Sequence, residues 1–319
     1  MSVLILGSVN TDLVIRSPRL PRPGETVLGG EFYQAAGGKG ANQAVAAARA
    51  AAGHGKVTFI GAVGNDDYGR ESRRGLLAEG IDCTCLREIA SVPSGIALIL
   101  VDENGENLIS VASGANAQLL PADVDAIPDS RFQQCKVFLA CLESPLQTVE
   151  RGLRRAKEQG LMTILNPAPV RDAAEVIKLL PLVDFLTPNE LELAALAGMA
   201  VALADSAAGA AKVVQSQGAK NIVVTLGAIG SVLVDESGAA HHFPAFPVTP
   251  VDTTAAGDCF SGCLAVALAE GRSLLAAARF ASAAASISVT RRGAQPSLPK
   301  REEIESLVQS TNHSGKMIE

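Results

Sequence analysis

Short apolar runs alternate with helical stretches along most of this 319-residue chain. The runs are rich in Val, Ile, Leu and Phe, and Gly, Pro, Asn or charged residues bound each of them. We predict buried strands at Val3–Val9, Lys56–Gly61, Lys136–Ala140, Leu161–Leu165, Val183–Leu186 and Asn221–Leu226. Strands that alternate with helices in this way indicate βαβ units. We therefore expect an α/β fold, a three-layer sandwich with a mainly parallel central sheet flanked by helices.

One predicted helix shows how the helical stretches begin. Ser144 is a candidate N-cap, Pro145 suits the first helical position, and Gln147 stands three residues after the cap as a capping-box partner. The apolar residues after this start recur at spacings of three and four, namely Leu146, Val149, Leu153 and Ala156. The pattern predicts a helix with one apolar face.

Two segments break the alternation, because no helix separates their strands. The strands that we predict there are Asp12–Ser17, Thr26–Gln34, Gly95–Asp102 and Asn107–Ala112. The second pair is a hairpin in which Asn104-Gly105 supplies the turn. We expect the two segments, about 12–36 and 94–112, to form a small antiparallel sheet that serves as a lid or a dimer contact. The alternative is two surface hairpins without a role.

Composition narrows the functional classes. The chain is 48% hydrophobic and 19% charged, an ordinary balance for a folded soluble protein, and its formal net charge is -6. It has no basic block and no Trp, so we expect no nucleic-acid partner. Its six cysteines form no C-x-x-C pair and give no zinc-type spacing. We expect reduced, mostly packed thiols, with a reactive thiol as the alternative.

The two ends of the chain and its length bear on location and domain organisation. The N-terminus begins directly with a strand and lacks the pattern of a signal peptide. No apolar run reaches ~18 residues without a charge or a helix breaker, so we expect no membrane span and a cytoplasmic protein. The length permits two domains or one large α/β domain, and we predict a single domain over residues 1–310. The polar tail, 311–319, is expected to be frayed.

The segment Asp252–Asp258 carries the first candidate for chemistry. Small residues allow a tight turn before an apolar helix that we predict from Cys259 to Ala269. The amides of Ala255 to Asp258 would be the first, unpaired donors of this helix and would form an anion site. Asp258 would then lie beside a phosphate site, where a carboxylate can accept a proton from an attacking hydroxyl. The alternative is that Asp258 only caps the helix.

A glycine-rich segment, Gly37-Gly38-Lys39-Gly40-Ala41-Asn42, leads into an Ala-rich helix. Its glycines allow the main chain to lie against a ligand, while Lys39 offers a cation and Asn42 an amide. The segment lacks the P-loop pattern G-x-x-x-x-G-K-[ST]. A glycine-rich helix start with a solvated lysine is the alternative interpretation.

Asn10 and Asp12 follow the first strand. In a dinucleotide-binding unit that strand would lead through G-x-G-x-x-G into a helix, but here it leads into another strand. The pattern argues against dinucleotide binding. Asn and Asp at the carboxyl end of a parallel strand suit the recognition of hydroxyl groups, although both are also ordinary turn residues.

Three weaker signals stay open between a function and a structural role. Asn189, Glu190 and Glu192 start a helix and either cap it or reach Mg²⁺ through water. The segment Thr225–Gly230 contains two glycines, which suit either the approach of a nucleotide or a plain turn between strands. Glu143 follows a strand end and could bind a hydroxyl or merely be solvated.

Together these segments resemble the ribokinase-like (PfkB-type) carbohydrate kinase family from about Leu4 to Leu298. The two most specific motifs are Gly37–Asn42 with its helix and Asp252–Asp258. The supporting strings are Gly7–Asp12, Leu142–Pro145, Asn166–Pro169, Thr187–Glu190 and Gly293–Ser297. Two positions depart from the wider pattern: Ala255 stands where much of the family has Gly, and Ser282 stands where relatives can have His.

The resemblance implies a role for each matching position. The sugar would be held by Asn10, Asp12, Gly38, Lys39, Asn42, Glu143 and Asp258. The ATP site would be lined by Asn189, Thr225, Gly227, Gly230, Gly257 and Ser282. Asp258 would be the catalytic base, with Ala255, Ala256 and Gly257 as the anion hole. A monovalent cation, usually K⁺, would be surrounded by Asp252, Thr254, Ser288, Arg291, Gly293 and Ser297, largely through backbone oxygens. Glu192 would contact the Mg²⁺ shell, and the lids of two chains would form a homodimer.

The reaction that the resemblance implies is transfer of the ATP γ-phosphoryl group to the 5-hydroxyl of D-ribose, giving D-ribose 5-phosphate and ADP. A kinase for another small sugar, such as 2-deoxyribose or fructose, is the first alternative. A sugar-binding regulator without catalysis and a nicotinamide-dependent dehydrogenase are the others. Asn10, Asp12 and Asn42 supply several hydroxyl partners, and leaving one of them unpaired costs about 1–3 kcal/mol, which favours ribose.

Overall fold

The structure is a computed structural model that describes residues 2–313. Its strands, numbered in chain order, are β1 Ser2–Leu6, β2 Asn10–Arg16, β3 Glu31–Gly37, β4 Lys56–Gly64, β5 Leu86–Ile89, β6 Gly95–Val101, β7 Asn107–Ala112, β8 Val137–Cys141, β9 Met162–Asn166, β10 Phe185–Leu186, β11 Asn221–Thr225, β12 Gly230–Val234 and β13 Ala240–Pro244. Within the described residues, nine of these strands form a central sheet in the order β13-β12-β11-β10-β9-β8-β1-β4-β5. Neighbours are parallel except at β11–β12 and β12–β13, so the predicted mainly parallel sheet is confirmed.

Helices cover both faces of the central sheet. They are α1 Lys39–Ala51, α2 Asp67–Ala78, α3 Pro121–Asp125, α4 Asp129–Gln133, α5 Leu146–Glu158, α6 Ala173–Ile177, α7 Glu190–Ala197, α8 Ala204–Gln215, α9 Ala256–Ala269, α10 Leu274–Ser288 and α11 Arg301–His313. Strand β1 shows why both faces are apolar. Val3 and Ile5 pack into one core with α1, α9 and α10, while Leu4 and Leu6 pack into a second core with α5, α7 and α8. The three-layer α/β fold is therefore confirmed.

The remaining strands form a separate four-stranded sheet in the order β3-β2-β6-β7. The predicted lid segments thus join into one sheet, but its central pair, β2 and β6, is parallel, so the sheet is not wholly antiparallel. Asn10 pairs with both Gly37 and Gly95, so the start of β2, the end of β3 and the start of β6 lie side by side. Apolar side chains of Leu98, Leu108, Ile109 and Val111 are exposed on this sheet. Its role as a dimer contact stays a prediction.

Several predicted boundaries were wrong. Strand β3 begins at Glu31 rather than near Thr26, and β5, β12 and β13 were not predicted. Helix α5 has Pro145 at its N-cap without a side-chain cap, and the Ser144 hydroxyl is buried with no partner among the described residues. The predicted frayed tail starts within α11, which continues to His313, while residues 314–319 lie outside the described residues. None of the described helices is long and apolar enough to cross a membrane.

Candidate active site

A cavity of about 680 Å³ opens at the carboxyl ends of three neighbouring parallel strands. Asn166 ends β9, Thr187 follows β10 and Thr225 ends β11, and all three line this cavity. The start of α9 forms the opposite wall with Asp258. Open α/β sheets bind ligands outside the carboxyl ends of their strands, so the cavity lies where a substrate is expected.

The start of α9 presents unpaired main-chain donors to the cavity. The helix begins at Ala256, three residues before the predicted start. The Ala256 amide donates to the Thr253 carbonyl at 3.2 Å, whereas the amides of Ala255, Gly257 and Asp258 meet no acceptor within residues 2–313. A Cβ built on Gly257 has no atom within 4 Å, apart from its chain neighbours and nearby backbone of its own helix, so a ligand could approach the main chain here. The helix dipole and the free amides together favour an anion here.

Ala255 precedes α9 in the left-handed region of backbone conformation, with φ of 60°. This conformation costs an L-residue roughly 1–2 kcal/mol and favours glycine. It gives a physical reason for the glycine that the resemblance leads us to expect at this position.

Asp258 points toward α1 rather than back to its own helix. Its Oδ2 accepts a hydrogen bond from Asn42 Nδ2 at 3.0 Å, and its Oδ1 accepts one from Gln43 Nε2 at 3.2 Å. The side chain is only 5% exposed, and this burial raises the pKa of the Asp258 carboxyl, while the Lys39 charge opposes the rise. Asp258 is therefore not simply a cap of α9, and its carboxylate is held in place from across the site.

Lys39 begins α1 and lines the same cavity as Asp258. The Asp258 carboxylate is the main cause that raises the pKa of the Lys39 ammonium, so the lysine is a cation at neutral pH. Glycines let α1 start this close to the sheet: a Cβ on Gly40 would lie 2.5 Å from the Gly7 Cα atom. Gly38 has φ of 89° and abuts the backbone at Asn10. The Lys39 charge thus lies beside the cavity, stabilised by the Asp258 charge, and its role toward a ligand stays a prediction.

The residues that the resemblance assigns to the sugar lie where the central layer meets the lid. Glu143 Oε2 accepts hydrogen bonds from the Ser8 hydroxyl and the Lys39 amide, which leaves Oε1 available. The Asp12 carboxylate lies against Gly37, where any Cβ would overlap it. Burial and the nearby Glu143 charge raise the pKa of Asp12 to about 6, so it is mostly ionised at pH 7 and accepts hydrogen bonds. Both carboxylates suit hydroxyl groups.

Not every predicted sugar residue lines the large cavity. Lys39 and Asp258 do, whereas Asn10, Asp12, Gly38, Asn42 and Glu143 are absent from its lining. The side-chain amide of Asn42 nevertheless donates to Asp258, and the main-chain amide of Lys39 donates to Glu143. Helix α1 therefore connects the residues that line the cavity with those near the lid.

The residues that the resemblance assigns to ATP line the cavity together. They are Asn189, Thr225, Gly227, Gly230, Gly257 and Ser282. The segment Thr225–Gly230 is a turn between β11 and β12 and also faces the cavity, and the approach of a nucleotide there stays a prediction. Asn189 and Glu192 form a reciprocal capping box at α7, and burial raises the pKa of the Glu192 carboxyl. Glu192 therefore caps a helix and lines the cavity at once.

The residues assigned to the monovalent cation surround the loop before α9. Asp252 accepts hydrogen bonds from the Thr254 amide and hydroxyl and from the Gly293 amide at 2.8 Å. The other polar side chains are occupied elsewhere: Ser288 donates to Ala285, Arg291 pairs with Glu303, and Ser297 donates to Ala294. Among the described residues no cluster of three or more His, Cys, Asp or Glu side chains could hold a metal. The resemblance implies that main-chain oxygens would supply most of the ligands.

Sequence reasoning missed two buried polar residues beside the site. Gln43 is fully buried and bonds both Asp258 and Asn166. Asn116 is 2% exposed, accepts from the Val9 amide, and donates to the Val9 carbonyl and to Asn10 Oδ1. A signal for Gln43 was present, because a polar amide within an Ala-rich helix face needs a buried partner. Nothing in the local sequence indicates the partner of Asn116.

The sequence matches the pfkB family of carbohydrate kinases over residues 1–301. It is 43% identical to the ribokinase of Haemophilus influenzae, over 95% of this chain and 96% of that protein. It is 36% identical to the deoxyribokinase of Salmonella typhi, over 95% of this chain and 97% of that protein. The structure is similar to that of Arabidopsis thaliana ribokinase complexed with ribose and ATP, with a TM-score of 0.87, 31% identity, and coverage of 96% and 98% of the two chains.

The chain therefore belongs to the pfkB family of carbohydrate kinases. The family predicted from Gly37–Asn42 and Asp252–Asp258 is confirmed, and with it the class of ATP-dependent sugar kinase. The roles of the individual site residues stay predictions.

Proposed function

We propose that this kinase transfers the γ-phosphoryl group of ATP to the 5-hydroxyl of D-ribose, giving D-ribose 5-phosphate and ADP. The observation that carries the proposal is the buried Asp258 carboxylate, which α1 tethers at the start of a helix where the amides of Gly257 and Asp258 are unpaired. The relatives support it, since ribokinases from distant organisms match nearly the whole chain.

The chemistry follows from what each group can do. Phosphoryl transfer depends on positioning and on neutralising charge more than on strong base chemistry. Asp258 would orient the sugar hydroxyl and take its proton, a contribution of roughly 10²–10⁴-fold. The free amides of Ala255 and Gly257 would bind the oxygens of the transferred group, each worth about 3–4 kcal/mol when well placed. Lys39 would place a fixed positive charge beside them.

The choice of ribose over its alternatives rests on the polar groups at the lid. Hydrogen-bond acceptors for the sugar hydroxyl groups are supplied by the carboxylates of Asp12 and Glu143, and a side-chain amide is supplied by Asn10. A sugar that lacks a hydroxyl leaves one of these groups unpaired, at a cost of about 1–3 kcal/mol. The similarity to a deoxyribokinase makes 2-deoxyribose the second candidate substrate.

Specificity constants for ribose, 2-deoxyribose and fructose test this choice. We expect kcat/KM for ribose to exceed that for 2-deoxyribose by about 5–150-fold, which is the penalty of one unpaired group. The measurement is ADP release in a coupled assay at one ATP concentration. A higher kcat/KM for 2-deoxyribose or fructose would overturn the proposed substrate and leave the class of sugar kinase intact.

We also propose Mg²⁺ and K⁺ as cofactors. Mg²⁺ would neutralise charge on the ATP phosphates, and Glu192, one of three carboxylates that line the cavity, would contact its hydration shell. We assign K⁺ to the loop that Asp252 ties to Gly293, where main-chain oxygens would be its ligands. An ion in this loop would act by holding the shape of the turn before α9.

Adding each ion separately to ion-free enzyme tests both assignments. We expect no turnover without Mg²⁺, and a rise of kcat with KCl at saturating Mg²⁺ and ATP. The matched control replaces KCl with choline chloride at equal ionic strength. A flat response of kcat to KCl would remove the K⁺ proposal without affecting the kinase proposal.

A further inference from the structure

Gln43 lies fully buried in α1, one residue after the predicted sugar ligand Asn42, and does not line the large cavity. Its Nε2 donates to Asp258 Oδ1 at 3.2 Å and to Asn166 Oδ1 at 3.0 Å. Because it reaches no open space, Gln43 cannot bind a substrate directly. Its contacts instead connect α1, α9 and the end of β9 at the candidate base.

The position of Gln43 is fixed by close packing between α1 and α9. Gly262 lies directly against the Gln43 main chain, and a Cβ on Gly262 would overlap the Gln43 carbonyl oxygen. On the other side, Asn166 Nδ2 donates to the Thr187 carbonyl at 2.8 Å, which ties the amide of Asn166 to the end of β10. The main chain of Gln43 is thus held by packing against Gly262, and its side-chain amide is held by the hydrogen bond to Asn166.

The two oxygens of the Asp258 carboxylate each receive one amide donor from α1. Asn42 serves Oδ2 and Gln43 serves Oδ1, so the plane of the carboxylate is set by two fixed points. Hydrogen bonds donated to a carboxylate favour its charged form. The Oε1 atom of Gln43 has no partner among the described residues, so this side chain is oriented by what its nitrogen donates to.

We propose that Gln43 is a positioning residue that keeps the Asp258 carboxylate ionised and correctly oriented, and thereby sets the lowest pH at which the enzyme turns over. This inference rests on the proposed function, in which Asp258 is the base. Gln43 touches the base and not the substrate, so its loss should change kcat and its pH dependence without changing KM.

Other charged and titratable groups face Asp258 from several elements and limit the size of the effect. Lys39 on α1 stabilises the ionised form, whereas Glu143 opposes it. Cys141 at the end of β8 and Glu192 on α7 also interact with Asp258. Burial raises the pKa of Cys141 to about 12, so this thiol stays neutral in the working range. Because Lys39 remains when Gln43 is replaced, only part of the stabilisation is lost.

The test compares pH profiles of kcat for the wild type, Gln43→Met and a control, Ser261→Ala. Methionine keeps the length of the side chain and removes its donors. Ser261 is buried one turn further along α9 and bonds the Thr187 hydroxyl at 3.0 Å, so its loss disturbs the same layer without touching Asp258. We expect the acid limb of Gln43→Met to move up by about one pH unit, with kcat about tenfold lower on that limb.

The expected profile has three further features. Gln43→Met recovers to within about threefold of the wild type on the alkaline plateau. Its KM values for sugar and ATP stay within about twofold, and Ser261→Ala keeps the wild-type acid limb. An equal loss of kcat at every pH, or an unchanged acid limb, would overturn the inference and leave Gln43 a packing residue.

A second variant and a second measurement keep the inference testable if Gln43→Met folds poorly. Gln43→Glu keeps the shape and places another carboxyl beside Asp258, so we expect a larger upward shift of the acid limb. Separately, the ¹³C resonance of the Asp258 carboxyl, identified by its loss in Asp258→Asn, should titrate at a higher pH in either variant. An unchanged midpoint would overturn the inference. The titration needs no turnover, so it stands even if ribose proves not to be the substrate.

Discussion

An Asp258→Asn variant is expected to lose at least ~100-fold in kcat while its affinity for the sugar is mostly retained. Asparagine keeps the shape of the side chain but cannot take a proton from the attacking hydroxyl. The free amides at the start of α9 and the sugar-binding carboxylates are untouched by this change. The measurement is kcat from ADP release at saturating ATP and sugar, together with the calorimetric Kd for the sugar.

The control for this variant is Asp67→Asn, because Asp67 lies exposed in the first turn of α2 and pairs only with Arg70 at the surface. It should turn over like the wild type. Near-normal turnover by Asp258→Asn would contradict the assignment of the base. Loss of sugar binding in the same variant would show that Asp258 acts mainly by holding the sugar and not as the base.

A Lys39→Met variant is expected to lose about 10²–10³-fold in kcat, the usual cost of one well-placed group that stabilises transition-state charge. Two effects contribute in the same direction. The transferred group loses a fixed positive charge, and Asp258 loses the charge that most strongly opposes the rise of its pKa. The pKa of Asp258 then rises further, so the loss should be greatest at low pH and should shrink as the pH is raised.

Lys56→Met is the matched control, because Lys56 is exposed at the start of β4, far from the carboxyl ends of the strands. Both variants are assayed for kcat across the pH range and for thermal unfolding. A Lys39→Met enzyme with wild-type kcat would remove Lys39 from the reaction. A loss of the same size at every pH would retain its role toward the transferred group but remove its effect on Asp258.

The parts of the fold that were predictable are those with a strong local pattern. The alternation of apolar strands with helices gave the parallel sheet, since strands such as β1 and β8 are buried on both faces. Strand β13 was missed because its sequence, Ala240–Pro244, contains two histidines and lies at the edge of the sheet. Polar residues are tolerated at an edge, where only part of the strand is covered.

The pairing of the lid strands could be predicted from local sequence only in part. Turn residues predict which strands are joined in a hairpin, so the pairs β2–β3 and β6–β7 followed from the sequence. The parallel pairing of β2 with β6 has no turn between the strands and therefore no local signal. The same reasoning explains the wrong start of α5, because Ser144 is turned inward by the packing of its surroundings.

The candidate site also contains residues that local sequence could indicate and contacts that it could not. Lys39, Asn42 and Asp258 were recognised because each lies in a motif of glycine and small residues with a clear physical purpose. Gln43 and Asp258 are 215 residues apart in sequence, and only the close packing of α1 on α9 brings them together. Local sequence can indicate a buried amide, but its partner is determined by the packing of helices.

The nature of the phosphorylated product tests the central claim most directly. We would incubate the wild type with ATP, Mg²⁺, K⁺ and D-ribose and follow the products by ³¹P NMR with proton coupling. We expect a new phosphate ester in equal amount to ADP, with a triplet from coupling to the two hydrogens of the 5-carbon. Inorganic phosphate in equal amount to ADP, or a doublet from a phosphate on a carbon with one hydrogen, would contradict it.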